Sequence, residues 1–145
     1  MDIEKYSNGV CPVARGLCHV GDAWSMLILR DAGGGATRFD QFQKNLGIAP
    51  NILTRRLSAL TESGLLARRR YSEHPPRDEY ILTDAGRDFL PVLFALGAWG
   101  ARHFGDDRVS TLVEADSGRL VDAVVVDRES GVPVRDMNVR VVQPS

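Results

Sequence analysis

Two short amphipathic segments lie close together in the middle of the chain, and only residues 47–49 separate them. Asp40 is a suitable N-cap for the first segment, and Gln43 stands three residues later in capping-box spacing. Pro50 suits the first position of the second helix because its missing N–H has no partner there. The leucines on the inner side of the second helix are Leu53, Leu57 and Leu60. This pattern predicts a helix-turn-helix.

The second of these helices, at about residues 50–63, carries polar groups on its outer face. In a helix-turn-helix the second helix enters the major groove, and its first residues reach the base edges. The residues of this helix that we expect to contact DNA are Asn51, Thr54, Arg55, Arg56 and Ser58. The alternative for the segment is an ordinary helical hairpin with a solvated polar face.

A basic β-hairpin is predicted directly after the second helix. Residues 65–71 have the pattern of a strand with three consecutive arginines, residues 72–77 of a loop and residues 78–82 of a second strand. A hairpin at this place is typical of a wing that lies along the DNA backbone or the minor groove. We expect the wing to cover about residues 66–82, with Arg77 at its tip. Basic residues expected to contact DNA outside the recognition helix are Arg38, Arg68, Arg70 and Arg77.

The charge of the chain is unevenly distributed. The formal net charge is −1, yet positions 38–77 hold eight basic and three acidic residues, whereas positions 106–145 hold five arginines and eight acids. A basic stretch on a nearly neutral protein indicates a local anionic partner.

Further helices are predicted on both sides of this region. They cover residues 12–20, residues 23–32 after the N-cap Asp22, and residues 83 to about 104, with Pro91 inside the last one. The last helix has apolar residues at alternating spacings of three and four, which is typical of a helix that packs against another helix. We expect a homodimer contact through Phe89, Val92, Leu96 and Trp99. The alternative is that this face covers the core of the monomer.

Residues 106–145 differ in character from the rest and predict a small β-rich extension. Apolar runs at 112–113, 120–126 and 139–142 alternate with turns at Ser117-Gly118 and Ser130-Gly131. The turns lack the cysteines of a metal-binding ribbon, so no metal is predicted. The expected fold class is therefore α+β, with a winged helix-turn-helix domain at 1–105, terminal dimerisation helices and the extension at 106–145.

Several function classes receive no support from the sequence. The two cysteines are too few for a disulfide framework, and no apolar run approaches the roughly 20 residues that span a bilayer. The first residues have no signal-peptide pattern. No histidine pairs with a nucleophile at a motif spacing, and the triple glycine at 33–35 lacks the rest of a phosphate loop. We expect a cytoplasmic protein that is not an enzyme, with no cofactor and no membrane partner.

An ordered set of short motifs runs through most of the chain. The motifs are Cys11-Pro12, Gly21-Asp22-Ala23-Trp24, Leu27-Ile28-Leu29, Arg38-Phe39, Gly47-Ile48, Leu53-Thr54, Arg56-Leu57, Leu60, Gly64-Leu65, Arg69, Tyr71, Pro75-Pro76-Arg77, Glu79-Tyr80, Leu82-Thr83 and Gly86. In these residues, over about positions 11–100, the chain resembles the HxlR-type family of winged helix-turn-helix regulators, in the MarR-like superfamily. The resemblance implies a dimeric repressor or activator that binds double-stranded DNA at a palindromic operator. Ala49 stands where the family usually has serine, so the recognition helix loses a side-chain cap worth about 1 kcal/mol.

The resemblance also draws attention to Cys11. Several members of the family sense electrophiles or oxidants through a cysteine near the N-terminus, and Cys11 matches that position beside Pro12. A redox-sensing regulator that acts through Cys11, with an electrophile or another small molecule as effector, is therefore an alternative reading. A buried, structural cysteine is the simpler one. A protein-interaction module that has lost DNA binding is a further alternative.

Overall fold

The structure, a computed structural model, describes residues 2–145, which form two compact units divided between Leu90 and Pro91. Five α-helices and one two-stranded sheet make up the regular structure of these residues. Their bounds are α1 Pro12–Val20, α2 Ala23–Gly33, α3 Phe39–Leu46, α4 Pro50–Glu62, β1 Leu66–Glu73, β2 Pro76–Leu82 and α5 Asp84–Phe104. Short 3-10 helices lie at Ile3–Tyr6 and Val134–Asp136.

The core of the first unit lies among α2, α3 and α4. The three leucines predicted to face inward from α4 have no exposed surface at all, which confirms their placement. The other large side chains that are completely buried in this core are Ile28, Leu29 and Phe42. Burial of one such side chain contributes about 1.5–3 kcal/mol. The buried leucines therefore fix the position of α4 in the domain, and the outer face of the helix is fixed with it.

The helix ends match the predictions at α2 but not at α3. Asp22 caps α2, as expected, and its Oδ1 accepts a hydrogen bond from the backbone N–H of Ser25 at 2.8 Å. The N-cap of α3 is Arg38, and the predicted cap at Asp40 with its partner Gln43 is wrong. The reason is Gln41, whose Oε1 accepts from the backbone N–H groups just before the helix, at 2.9 and 3.0 Å. Because these two donors are satisfied, α3 begins at Phe39, which is earlier than predicted.

The wing spans residues 66–82, as predicted, but its strands are longer and its turn is tighter than expected. The two strands pair antiparallel from Leu66 opposite Leu82 to Glu73 opposite Pro76. Ser72 Oγ donates to the carbonyl of Pro75 at 2.9 Å, so the turn is confined to a few residues. Arg77 is consequently not at the tip but within β2, opposite Ser72.

Helix α5 begins as predicted, directly after Thr83. The hydroxyl of Thr83 accepts from the backbone N–H of Gly86 at 3.1 Å and donates to the carbonyl of Gly64. A Cβ atom on Gly86 would lie 2.2 Å from the carbonyl oxygen of Leu65, so only glycine fits this approach. The start of α5 is thereby fixed against the chain that enters the wing.

The second unit contains one turn motif twice. In each copy a carboxylate, that of Glu114 or Asp127, accepts from both the backbone N–H and the hydroxyl of the serine three residues later. The following residue, Gly118 or Gly131, has a left-handed backbone with φ of +71° or +69°. These hydrogen bonds hold the pKa of each carboxyl below its usual value.

The apolar runs of the extension do not form the expected strands. Among residues 106–145 the structure has isolated antiparallel bridges only, Val113 to Leu120 and Val126 to Pro133. Each bridge closes one copy of the turn. The valines nearby are largely exposed, so no second layer extends the pairing into a sheet. The turns at the two Ser-Gly pairs are where the sequence predicts them.

Candidate nucleic-acid interface

The outer face of α4 presents the polar groups that the sequence predicts there. Asn51, Thr54, Arg55 and Ser58 are all exposed. Thr54 Oγ1 donates to the carbonyl of Pro50 at 2.9 Å, which leaves its oxygen as an acceptor on the surface. Among residues 2–145 no acidic group lies within ion-pair distance of Arg55. This face can therefore meet base edges and phosphates without first breaking an internal contact.

Arg56 is placed differently from its neighbours on α4. Its Nε lies 3.4 Å from Oδ1 of Asp22, the N-cap of α2. That nitrogen is buried and makes no well-aligned hydrogen bond within the described part of the chain. The sequence groups Arg56 with the DNA contacts, whereas the structure shows it linking α4 to the start of α2.

The three consecutive arginines of the wing are paired with acidic residues of the same hairpin. Arg68 Nε lies 2.9 Å from a carboxylate oxygen of Asp78, and Arg70 Nε lies 3.2 Å from the other oxygen of that group. Arg69 pairs with Glu79. Asp78 and Glu79 lie just beyond the basic stretch counted in the sequence, but the hairpin register places them opposite the arginines. The wing is thus less positive than the sequence count suggests.

Glu79 and Tyr80 lie where the wing meets the segment that leads into α3. Only 8% of its surface is exposed, and its Oε1 accepts from Arg69 Nε at 2.8 Å. The hydrogen bonds from Arg69 hold the pKa of Glu79 below its ordinary value, and Thr37 and Arg38 act in the same direction. The next residue, Tyr80, donates its backbone N–H to the carbonyl of Thr37 at 2.7 Å. The segment that leads into α3 is thereby bound to the edge of β2.

The two other predicted arginines of this surface take no part in the ion pairs of the hairpin. Arg77 and Arg38 are exposed, and neither has an ion pair among residues 2–145. The guanidinium carbon of Arg38 lies 4.2 Å from the ring centroid of Tyr71. The sequence does not single out Tyr71 as a site residue, because its position depends on an irregularity in the strand pairing that no motif reveals.

The two cysteines of the first unit have different surroundings. Cys11 is exposed at the N-cap of α1, and its Sγ lies 3.5 Å from the backbone nitrogen of Ala14. Cys18 is partly buried and donates to the carbonyls of Ile3 and Ala14 at 3.1 and 3.2 Å. Residues 2–145 contain no cluster of three or more histidine, cysteine or acidic side chains that could hold a metal ion. Within the same range, every helix is too short or too polar to cross a membrane.

Comparison with known sequences agrees with the motifs. Residues 19–108 match the sequence profile described as HxlR-like helix-turn-helix. An uncharacterised helix-turn-helix-type transcriptional regulator of Mycobacterium bovis is 48% identical over 88 residues, which are 61% of this chain and 56% of that protein. The chain thus spans little more than half of the length of that relative. The regulator YdeP of Bacillus subtilis is 34% identical over 106 residues, which cover 72% of this chain and 81% of YdeP.

Solved structures extend the similarity beyond the profile. PA1607, assigned as a transcription factor, is 44% identical with a TM-score of 0.82, and the match covers 94% of this chain and 98% of PA1607. PA1374 from Pseudomonas aeruginosa is 47% identical with a TM-score of 0.66, over 91% of this chain and 92% of PA1374. The redox regulator HypR in its oxidized form is 31% identical with a TM-score of 0.59, over 64% of this chain and 97% of HypR. The chain belongs to the HxlR-like helix-turn-helix family and has its α+β winged helix-turn-helix fold.

Proposed function

We propose that the protein is a cytoplasmic transcriptional regulator that binds double-stranded DNA. In this proposal α4 enters the major groove and the hairpin of β1 and β2 lies on the backbone or in the minor groove. The observation that carries it is the outer face of α4, where Asn51, Thr54, Arg55 and Ser58 are exposed over a row of fully buried leucines. A rigid element with base-reading side chains at its start is what direct readout requires.

The second part of the proposal is that two copies act together on a palindromic operator. It is supported by α5, on which Val92, Leu96 and Trp99 are 53, 46 and 51% exposed. Phe89 is half-buried on the same helix. Three large apolar side chains with the spacing of a helix-packing seam are typical of an interface between protein chains. A two-fold dimer presents two recognition helices, and these suit two half-sites about one helical turn apart.

The proposed function is tested by DNA binding measured against salt concentration under reducing conditions. We expect fluorescence anisotropy to show tighter binding to an operator selected from random duplexes than to the random pool. The logarithm of the affinity should fall linearly with the logarithm of salt concentration, because phosphate contacts release counterions. A lack of binding to either DNA at low salt would favour the protein-interaction module instead.

A second candidate function is redox or electrophile sensing through Cys11. The thiol is exposed at the N-cap of α1, where a small molecule can reach it, and the similar protein HypR is a redox regulator. In this mechanism the Cys11 thiol adds to a ring carbon of a quinone. The C–S bond forms as a ring C=C π bond breaks, the thiol proton ends on a ring oxygen, and the quinone becomes a hydroquinone thioether. The attached ring changes the start of α1 and releases DNA.

The sensing mechanism is tested by a gel shift with a quinone on wild type, Cys11→Ser and Cys18→Ser. We expect the quinone to release DNA from wild type and from Cys18→Ser but not from Cys11→Ser. Cys18 is a matched control because it lies on the same helix, partly buried, with its thiol hydrogen-bonded to the carbonyl of Ile3. Equal responses of wild type and Cys11→Ser would remove Cys11 from the mechanism.

A further inference from the structure

Tyr71 has an irregular position in the wing. The register runs from Arg70 opposite Asp78 directly to Ser72 opposite Arg77, so Tyr71 has no residue across from it. One extra residue in one strand of an antiparallel pair is a β-bulge, and bulges redirect side chains at functional sites. Here the ring of Tyr71 contacts Arg38, which belongs to the helix-turn-helix and not to the wing.

The backbone of Arg38 is firmly held. Its N–H donates to Gln41 Oε1 at 3.0 Å, and the preceding residue, Thr37, donates to the same oxygen at 2.9 Å. The carbonyl of Thr37 accepts from Tyr80 N–H at 2.7 Å. The base of the Arg38 side chain therefore has a fixed position between α3 and β2, and the side chain beyond it is exposed.

The Arg38 guanidinium differs from those of the wing arginines. Arg68, Arg69 and Arg70 each contact a carboxylate of the hairpin. Within residues 2–145 Arg38 has no carboxylate at ion-pair distance, and its guanidinium carbon lies 4.2 Å from the centroid of the Tyr71 ring. Stacking on an aromatic ring uses the flat face of a guanidinium and leaves its N–H edge free to donate to an anion.

We propose that Tyr71 is a positioning residue that holds Arg38 for one phosphate contact at the junction of the wing and α3. This inference rests on the proposed DNA binding. A guanidinium whose rotation is restricted before binding loses less freedom when it meets a phosphate. The pair also joins the wing to the helix-turn-helix, so a shift of the hairpin moves a phosphate contact of the helical part.

The geometry is tested first in the absence of DNA. In wild type and in Tyr71→Phe, we expect the ring current to move the NMR signals of the Arg38 side chain upfield from those of an exposed arginine. In Tyr71→Leu the shift should disappear. An Arg38 signal that does not change between wild type and Tyr71→Leu would overturn the contact, whatever the protein does on DNA.

The role on DNA is tested by the same variants in a binding assay. Tyr71→Leu should bind all duplexes about two- to fivefold more weakly, as the loss of an exposed cation–π contact implies, and Tyr71→Phe should bind like wild type. Arg38→Ala should bind more weakly still, and the magnitude of its salt slope should be smaller by about one unit. In the Arg38→Ala background, Tyr71→Leu should have no further effect. The control is Tyr6→Leu, an exposed tyrosine outside the wing, which should bind like wild type.

The outcomes separate this inference from the proposed function. No DNA binding by wild type contradicts the proposed function. If wild type binds DNA and Tyr71→Leu binds it with the same affinity, the positioning role is contradicted but the proposed function is not. The same holds if Tyr71→Phe is as weak as Tyr71→Leu, or if Tyr71→Leu weakens binding equally with and without Arg38. Unchanged thermal unfolding of Tyr71→Leu confirms that its effect on binding is not a loss of fold.

Discussion

Arg56 and Asp22 join α4 to the N-terminus of α2, with Arg56 Nε 3.4 Å from Asp22 Oδ1. Asp22 also caps α2 through Ser25, so one carboxylate serves two helices. Arg56→Ala should lower the free energy of unfolding by up to about 1 kcal/mol, because the pair is partly exposed. Operator preference should be retained. Thermal unfolding and anisotropy measure the two effects, and a loss of operator preference as large as that of Arg55→Ala would contradict the structural role.

Arg77 is exposed in β2 with no acidic partner among residues 2–145, so a phosphate can bind it directly. Arg77→Ala should weaken binding to every duplex alike and lower the magnitude of the salt slope by about one unit. Anisotropy over a series of salt concentrations measures the slope. An unchanged slope together with an altered base preference would assign Arg77 to the bases instead.

Arg55 lies on the outer face of α4, near the start of the helix, where the proposed function places contacts with base edges. Arg55→Ala should weaken binding to the best operator by about 1–3 kcal/mol and affect random DNA much less. Equal losses on both would show that Arg55 contacts only the backbone. Leu57→Ala, on the opposite face of the same helix, is the contrasting variant. It removes a fully buried side chain and should lower the free energy of unfolding by about 2–5 kcal/mol.

Glu79 should give the wing a pH-dependent stability. Arg69 holds the pKa of this buried carboxylate below the ordinary value of 4.5, so the charged form stabilises the folded state at neutral pH. That contribution disappears as the pH falls through the lowered pKa of the folded state. Wild type should therefore unfold at a higher temperature than Glu79→Gln at neutral pH, and the difference should shrink well below pH 4.5. A difference that is constant over this range would exclude the ionisation as its cause.

Leu96 and Trp99 should determine assembly. Replacement of both by glutamate should give a monomer and abolish tight operator binding, because the exposed apolar face of α5 is then charged. Light scattering at micromolar concentration gives the mass. Ala59→Glu, at an exposed apolar position on α4, is the control and should leave the mass of the wild type unchanged. A monomeric wild type would contradict both the dimer and the palindromic operator.

The helices of the first unit could be predicted because their signals are local. The cap at Asp22, Pro50 at the first position of α4 and Thr83 before α5 each act within one turn of helix. The N-terminus of α3 was not predicted correctly, because the Gln41 side chain reaches the free backbone donors before the helix and the expected cap, Asp40, lies inside it. Local chemistry was sufficient where the residue at the expected cap position is the one that caps the helix, as at Asp22.

The charge pattern of the wing could be predicted only in part. The run of arginines is visible in the sequence, but their neutralisation depends on which residues of β2 stand opposite them. The contact between Arg38 and Tyr71 depends in addition on the bulge after Arg70. Such features arise from the register between two strands, and residue types alone do not determine a register.

The repeated turn of the second unit has a consequence for the length of the extension. Each copy satisfies its own carboxylate, serine and glycine within a few consecutive residues, Glu114 to Gly118 in one and Asp127 to Gly131 in the other. None of these hydrogen bonds joins one copy of the turn to the other. Deletion of either copy as a whole would therefore leave the hydrogen bonds of the other in place, and the extension would become shorter by one complete turn.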